Sequence, residues 1–497
     1  MNISVQKGDL LEQECDILVL GAFEGGKEPY GAAGEVNGEL GGKMFRYWKA
    51  EKFTAKPGET FLMRTDGMIS AKRVLVVGLG KIDDFGVESV RQVAATSLSV
   101  AKQLRCKKVV SVLHGAGYGD LQARDCARAM VEGVRLADYK FARYKKDKSK
   151  SPDEFEIVTK DGRAVRAAQR GIVDGEVGAA GTVFARDLVN TPGQDMHPET
   201  LVDAAKMIGK GKGSIRVRVY EKERLEKMGA GGILGVAQGS ECPPYLVHMV
   251  YTPEKRTKKK VALVGKAVTF DSGGLSLKPS GSMETMKIDM AGSAAVLGVF
   301  SVIDQLAPKA EVHGIFGAVE NMPSGKAIRP GDVISAMNKK TIEVLNTDAE
   351  GRLTLADTLS FAVKQKPDFI IDLATLTGAV VVALGEEITA VMGNNPELSQ
   401  KILMAASAAG EKMWEMPLEK NYRKLIDSDI ADLKNIGSRW GGSLTAGLFL
   451  QEFVNDVPWA HLDIAGPAFA ERVIDPYTKK GATGHGVRTL LELLRTI

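Results

Sequence analysis

The chain has 497 residues, 44% hydrophobic and 26% charged, which excludes disordered, collagenous and coiled-coil classes. Sixty-six basic against sixty-two acidic residues leave a net charge of +4, too balanced for an obligatory nucleic-acid partner. At roughly 150 residues per domain the length implies about two or three domains.

Read from the start, Met1 to Leu20 carries acidic residues where a signal peptide needs an unbroken apolar core. The longest apolar runs, such as Ala379 to Leu384, fall far short of the ~20 residues of a membrane span. A cytoplasmic protein without membrane contact is the expectation. Ile3 to Val5, Ile17 to Leu20, Val74 to Val77 and Val109 to Val112 read as strands, with helical spacing over Val87 to Leu104 and Leu121 to Leu136. This is the rhythm of a mostly parallel sheet covered by helices. Tyr144 to Pro152 reads as a charged loop and Phe155 to Val158 as the strand that closes the first domain. Arg163 to Leu188, rich in alanine, reads as one long connecting helix that stops at Asn190-Thr191-Pro192-Gly193.

A second α/β series follows. Strands are expected at Ile215 to Tyr220, Leu246 to Tyr251, Val261 to Val264, Val312 to Val319, Phe369 to Leu373 and His461 to Ile464. Helices are expected at Ala291 to Leu306, Leu353 to Lys364, Leu444 to Val454 and Gly486 to Leu494. The domain reading is therefore 1–162, a connecting helix 163–190, and 191–497.

Chemistry concentrates in three segments of the second series. In Val261 to Lys278 a buried strand ends at Gly265, and Lys266, Asp271 and Lys278 follow it. Ligands in open α/β sheets collect beyond the carboxyl ends of strands, and charges placed there need water, a partner or a metal. Asp289 precedes a small-residue helix and taken alone reads as its cap. In Asn346 to Leu353, Asp348 and Glu350 stand two apart on an extended segment and so face one way, with Arg352 two further on. Taken alone, that segment equally fits a capping aspartate beside a surface ion pair. Four carboxylates and two lysines recurring in this way are better explained together, by a two-metal site.

Oxygen donors with one amine suit Mn²⁺, Mg²⁺ or Zn²⁺. None of the six histidines falls in these segments, and no HExxH occurs, so the mononuclear zinc-protease template fails. His114, His248 and His461 read as structural. No GxSxG elbow supports a serine hydrolase. Cys15, Cys106, Cys126 and Cys242 form no CxxC pair and no Cys/His cluster along the chain, so neither disulfides nor a thiolate zinc site are expected.

Asn346 to Leu353, NTDAEGRL, matches in full the signature of the leucyl aminopeptidase family, and VGKAVTFDSGGLSLKPS at 264–280 and MKIDMAGSAAV at 286–296 resemble its other metal segments. DLATLTGA at 372–379 and WAHLDIAG at 459–466 are also similar to family segments, in preserved order. Ala267 departs from the glycine usual after the family's metal-binding lysine, without loss of a ligand. The resemblance implies an α/β fold with an N-terminal macro-like domain and a larger C-terminal catalytic domain, its central mixed sheet flanked by helices. It implies two divalent ions, Zn²⁺ or Mn²⁺. Lys266, Asp271, Asp289 and Glu350 would hold the tighter ion, and Asp271, Asp348 and Glu350 the exchangeable one. A ligating lysine must be neutral. The resemblance further implies Lys278 and Arg352 as catalytic residues, the latter holding bicarbonate, and a side-chain pocket lined by Met286, Thr375, Gly378 and Ala465. Peptides would be the substrates, leucine-like N-termini preferred within a broad range, and the assembly a homohexamer of two stacked trimers.

Two other readings compete. A two-metal phosphoesterase would use similar carboxylates, without a family match. A DNA-binding or regulatory role, which some bacterial relatives add, would rest on Lys145 to Lys150 alone, a weak footprint; a nucleic-acid partner is not expected.

Overall fold

The computed structural model describes residues 1–118, 120–146 and 150–497. Residues 147–149, within the loop expected at Tyr144 to Pro152 and the basic stretch Lys145 to Lys150, lie outside the described residues. The chain forms two compact units, Met1–Ala179 with Arg472–Lys479, and Ala180–Glu471 with Lys480–Ile497. The division falls within a continuous helix, Gly162–Asn190.

The first unit is built on six strands: β1 (Asn2–Lys7), β2 (Ile17–Ala22), β3 (Thr60–Arg64), β4 (Arg73–Gly78), β5 (Lys108–Val112) and β6 (Glu154–Thr159). Their order is β1-β6-β5-β2-β4-β3. All neighbours are parallel except β3, which runs antiparallel to β4 at the edge. β6 is the last strand of this unit in sequence, as expected, and in the sheet it pairs between β1 and β5. The parallel strands read as unbroken apolar runs because helices such as Val87–Gln103 and Ala123–Asp138 leave them little water. β3, not expected from the sequence, alternates exposed and buried side chains as an edge strand with one wet face does.

The second unit carries an eight-stranded mixed sheet. Its strands are β7 (Ile215–Tyr220), β8 (Tyr245–Tyr251), β9 (Lys260–Asp271), β10 (Glu311–Asn321), then, beyond a small hairpin β11 (Asp332–Ser335) and β12 (Thr341–Val344), β13 (Phe369–Ala374), β14 (Thr389–Gly393) and β15 (Met413–Glu415). β16 (Leu433–Lys434) joins the hairpin, and β17 (Trp459–Asp463) completes the large sheet in the order β15-β14-β17-β13-β9-β10-β8-β7. The central strands β17, β13, β9 and β10 are parallel.

Helices cover both faces, and β10 shows how. A Cβ added at Gly314 would meet Phe300 and Val296 of the Ala291–Leu306 helix. One at Gly317 would meet Ile233 and Thr358, from helices Gly231–Ala237 and Gly351–Val363. An odd spacing along a strand puts the two on opposite faces. Leu353, Leu355, Leu359 and Ile233 belong to the core under the second face. The run Ser280–Leu306 is apolar and long enough to span a membrane by composition, and 83% of its most apolar window is buried in the fold.

The feature that positions the site is the length of β9. β13 pairs with β9 only as far as Leu373 opposite Gly265, while β10 accompanies β9 to Asp271. Lys266 to Asp271 therefore project past the end of β13 and are not a loop, as the expected strand end at Gly265 implied. The apolar run breaks at Lys266, but the strand continues because the ammonium meets carboxylates there.

Candidate metal centre

Lys266 is buried, with 3% of its surface exposed. Its Nζ lies 2.6 Å from Asp289 Oδ1 and 2.9 Å from Glu350 Oε1, and it donates to the Thr375 carbonyl at 3.0 Å. Lys278 Nζ lies 2.9 Å from Asp271 Oδ2 and 2.5 Å from Asp348 Oδ1. Oxygens of Asp271, Asp348 and Glu350 all fall within 4.8 Å of one another. All four carboxylates and both lysines are thus brought together at the end of the sheet. Arg352 is buried beside them, its Nη1 donating to the Asn435 carbonyl at 2.8 Å.

Local structure differs from the sequence reading in two places. Asp289 does not cap a helix: the Ala291–Leu306 helix starts after Met290 without a side-chain cap, and Asp289 is spent on Lys266 and on the Thr375 hydroxyl, which donates to it at 2.8 Å. Asp348 and Glu350 do not share an extended segment. Asp348 lies within a turn closed by the Ala349 N–H on the Asn346 carbonyl, and Glu350 follows it in helical conformation at the start of the Gly351–Val363 helix. Turn and helix onset, not strand pleating, converge the carboxylates. The positive ends of both helices then face the cluster, which favours anions there.

Two orienting residues went unread, and a third was read in another role. Asn321 ends β10, and its amide donates to Asp271 Oδ1 at 2.8 Å and to the Thr347 carbonyl at 3.0 Å. Asn435 accepts from the backbone of Leu345 and donates to the Asn346 carbonyl, holding the NTDAEGRL turn. Thr375, read as a pocket residue, braces Lys266 and Asp289. A polar amide closing the apolar run of β10 was the available signal for Asn321; Asn435 offered none. Of the other pocket candidates, Ala465 packs against the apolar cluster around Val380, Met286 lies in a partly exposed turn, and Gly378 is exposed at the start of helix Gly378–Leu384.

The electrostatics fit a cation. Burial, then repulsion by Glu350, raises the Asp271 carboxyl, and burial raises Asp289 well above its usual range. Burial also raises Asp348. Burial opposes the charge on Lys266, but Asp289, Glu350 and Asp271 outweigh it and hold the amine protonated. Asp289 Oδ2 and Glu350 Oε2 are buried without a hydrogen-bond partner, as is Arg352 Nε. The protein thus assembles more negative charge than its own amines satisfy, from a donor set of oxygens and one amine that suits a divalent ion. Burial pushes the Arg352 guanidinium down to about 10. Away from the site, His461 is fully buried against Asp372 and His114 against Ser111.

An α/β unit with buried carboxylates and amines gathered at the end of its sheet has the donor set of a metal-dependent enzyme. Residues 183–491 match the model of the cytosol aminopeptidase family, catalytic domain, and residues 19–148 that of the same family's N-terminal domain. A relative named probable cytosol aminopeptidase from Alkaliphilus oremlandii is 42% identical over 500 residues, covering 100% of both chains. Another so named from Gloeothece citriformis is 43% identical over 492 residues, covering 99% of each. Among solved structures, a mutant of tomato leucine aminopeptidase superposes with a TM-score of 0.91 at 35% identity, covering 100% of this chain and 97% of that one. The bottromycin maturation enzyme BotP in complex with Mn gives 0.84 at 34% identity, with 97% and 99% covered. The chain belongs to the cytosol aminopeptidase family. It is a metal-dependent aminopeptidase, an exopeptidase hydrolase acting at the N-termini of peptides.

Proposed function

We propose that two divalent ions, Zn²⁺ or Mn²⁺, bind in this cluster, one held by Lys266, Asp271, Asp289 and Glu350 and the other by Asp271, Asp348 and Glu350. The observation that carries this is the convergence of Asp271, Asp348 and Glu350 within 4.8 Å, with Lys266 against Glu350 and Asp289. Bound there, such ions supply Lewis acidity and a water acidic enough to attack at neutral pH. Asp271 and Glu350 are common to both ligand sets. Lys266 must give up its proton to join the first set, which exchange of the ammonium for a dication permits. Lys278, then relieved of its ion pairs with Asp271 and Asp348, is the donor to the oxyanion that forms on the scissile carbonyl. Arg352 holds bicarbonate as the general base, a role supported by its buried, unpartnered Nε.

The N-terminal side chain enters a pocket bounded by Met286, Thr375, Gly378 and Ala465. An apolar pocket separates side chains by only ~1–3 kcal/mol per methylene, so the enzyme prefers leucine-like residues within a broad range. Catalysis belongs to 191–497, with 1–162 as a separate domain and 163–190 as the connection. The enzyme works in the cytoplasm on short peptides, as a homohexamer of two trimers that encloses the sites. The test is release of leucine from a leucyl anilide, abolished by chelation and restored by Zn²⁺ or Mn²⁺, with light scattering on the same sample. Phosphate release from an aryl ester without anilide cleavage refutes the reading, and an active monomer refutes the assembly.

A further inference from the structure

Away from the catalytic cluster, the fold brings together three metal-ligating side chains of three types. His197, at the start of helix Pro198–Gly209, Cys242, in the loop before β8, and Glu320, near the end of β10, each offer a ligand atom within 4.8 Å of the others. His197 and Cys242 are 45 residues apart in sequence, beyond the reach of any spacing motif. We propose that they form a second kind of metal site, a three-ligand Zn²⁺ site outside the catalytic centre, its fourth position open to water.

The geometry of each ligand supports it. His197 Nε2 lies 3.0 Å from the Gln194 carbonyl, which can only accept, so Nε2 carries the proton and Nδ1 presents its lone pair. That is how metal-binding imidazoles are fixed: the distal N–H goes to a carbonyl or carboxylate. The Nδ1 so aimed lies 3.8 Å from Cys242 Sγ. Zn–S and Zn–N bonds of ordinary length at the tetrahedral angle separate sulfur and nitrogen by about 3.6 Å. The pair is therefore near the spacing a shared zinc imposes, and too long for a strong hydrogen bond. Glu320 Oε2 accepts from the Ser240 hydroxyl at 2.5 Å, and the same hydroxyl accepts from the Cys242 amide at 3.0 Å. One serine thus holds both the carboxylate and the cysteine loop in place.

Glu320 also lies where the register of β10 against β9 shifts, between Val319 and Asn321, and such irregularities re-aim a side chain. The mixed thiolate, imidazole and carboxylate set selects Zn²⁺ over Mg²⁺ or Mn²⁺. Burial, then Glu320, raises the Cys242 thiol, so binding expels its proton to solvent. Asn321, the next residue, bonds the catalytic candidate Asp271, which ties the two sites to one strand end.

Cobalt titration of the metal-loaded enzyme tests this. The catalytic cluster contains no cysteine, and Cys15, Cys106 and Cys126 are buried, so a near-ultraviolet thiolate-to-cobalt band reports Cys242. The expected result is one further Co²⁺ per chain with that band, displaced by Zn²⁺. Cys242→Ser abolishes the band, and His197→Ala and Glu320→Gln each weaken binding about tenfold or more. Zn²⁺ also slows alkylation of Cys242 in the wild-type chain, a readout independent of any variant's folding. No thiolate band and no protection at saturating metal overturn the proposal. So does a band of unchanged affinity in both His197→Ala and Glu320→Gln, which marks a cysteine binding cobalt alone.

Discussion

Gly351→Ala tests the metal centre without replacing a ligand. Gly351 opens the Gly351–Val363 helix, a position where alanine is a better helix former. The objection to a methyl group is purely spatial. A Cβ there would lie 2.4 Å from Lys266 Cε, 2.6 Å from its Nζ and 2.8 Å from its Cδ. Carbon atoms settle at about 3.5–4.0 Å, so the lysine must retreat by about 1 Å or more. It has no slack. Its amine is fixed by Asp289, Glu350 and the Thr375 carbonyl at 2.6 to 3.0 Å. Whether the stem shifts bodily or adopts another rotamer, the amine leaves its place between the two carboxylates. Overpacking of this kind costs about 1–3 kcal/mol, less than the ~5–15 kcal/mol that holds an ordinary domain together. The variant should therefore fold. A displacement of about 1 Å in a catalytic site can cost about 10²-fold in rate, and loss of an amine ligand should also lower metal content. Elemental analysis, thermal melting and leucyl-anilide turnover on one preparation read all three effects. A folded Gly351→Ala enzyme with full metal and turnover within about twofold of wild type refutes the placement of Lys266 in the ligand set.

Asp271→Ala and Glu350→Ala should each abolish turnover and strip at least one ion, because each is proposed to bridge both; full occupancy with normal turnover in either would sink the bridging assignment. Lys278→Ala should keep both ions and the fold while kcat falls about 10²–10³-fold, the range for losing one oxyanion donor; unchanged kcat removes it from catalysis. Asn321→Ala leaves Asp271 without the amide that orients it, so metal affinity should fall about 10–100-fold with the ligands intact. A chelator-competition titration measures that fall, and an unchanged affinity would reduce Asn321 to holding the Thr347 loop.

The candidate ligands were legible because metal chemistry demands unusual residue types in unusual places. A lysine in an apolar run and two carboxylates before a helix stand out in one dimension. Their supports do not. Asn435 lies 89 residues beyond Asn346, the carbonyl it holds, and an asparagine in a loop signals nothing about what it orients. The end of β9 was misplaced for a related reason. Lys266 breaks a hydrophobic pattern, and only the positions of Asp289 and Glu350 show that the strand continues through it. Helix Pro396–Ala409 is a different case, since its signals were present: Asn395 accepts from Leu398 N–H, Pro396 opens the helix, and Gly410 ends it in the left-handed region. It could have been read from capping chemistry alone. Asp289 shows where the local rule, taken alone, gives way. An aspartate before a helix satisfies the capping rule in sequence, yet burial with a lysine makes the ion pair the stronger claim on its oxygens. Local rules assign a polar residue its nearest partner, and a functional site is where a distant partner wins.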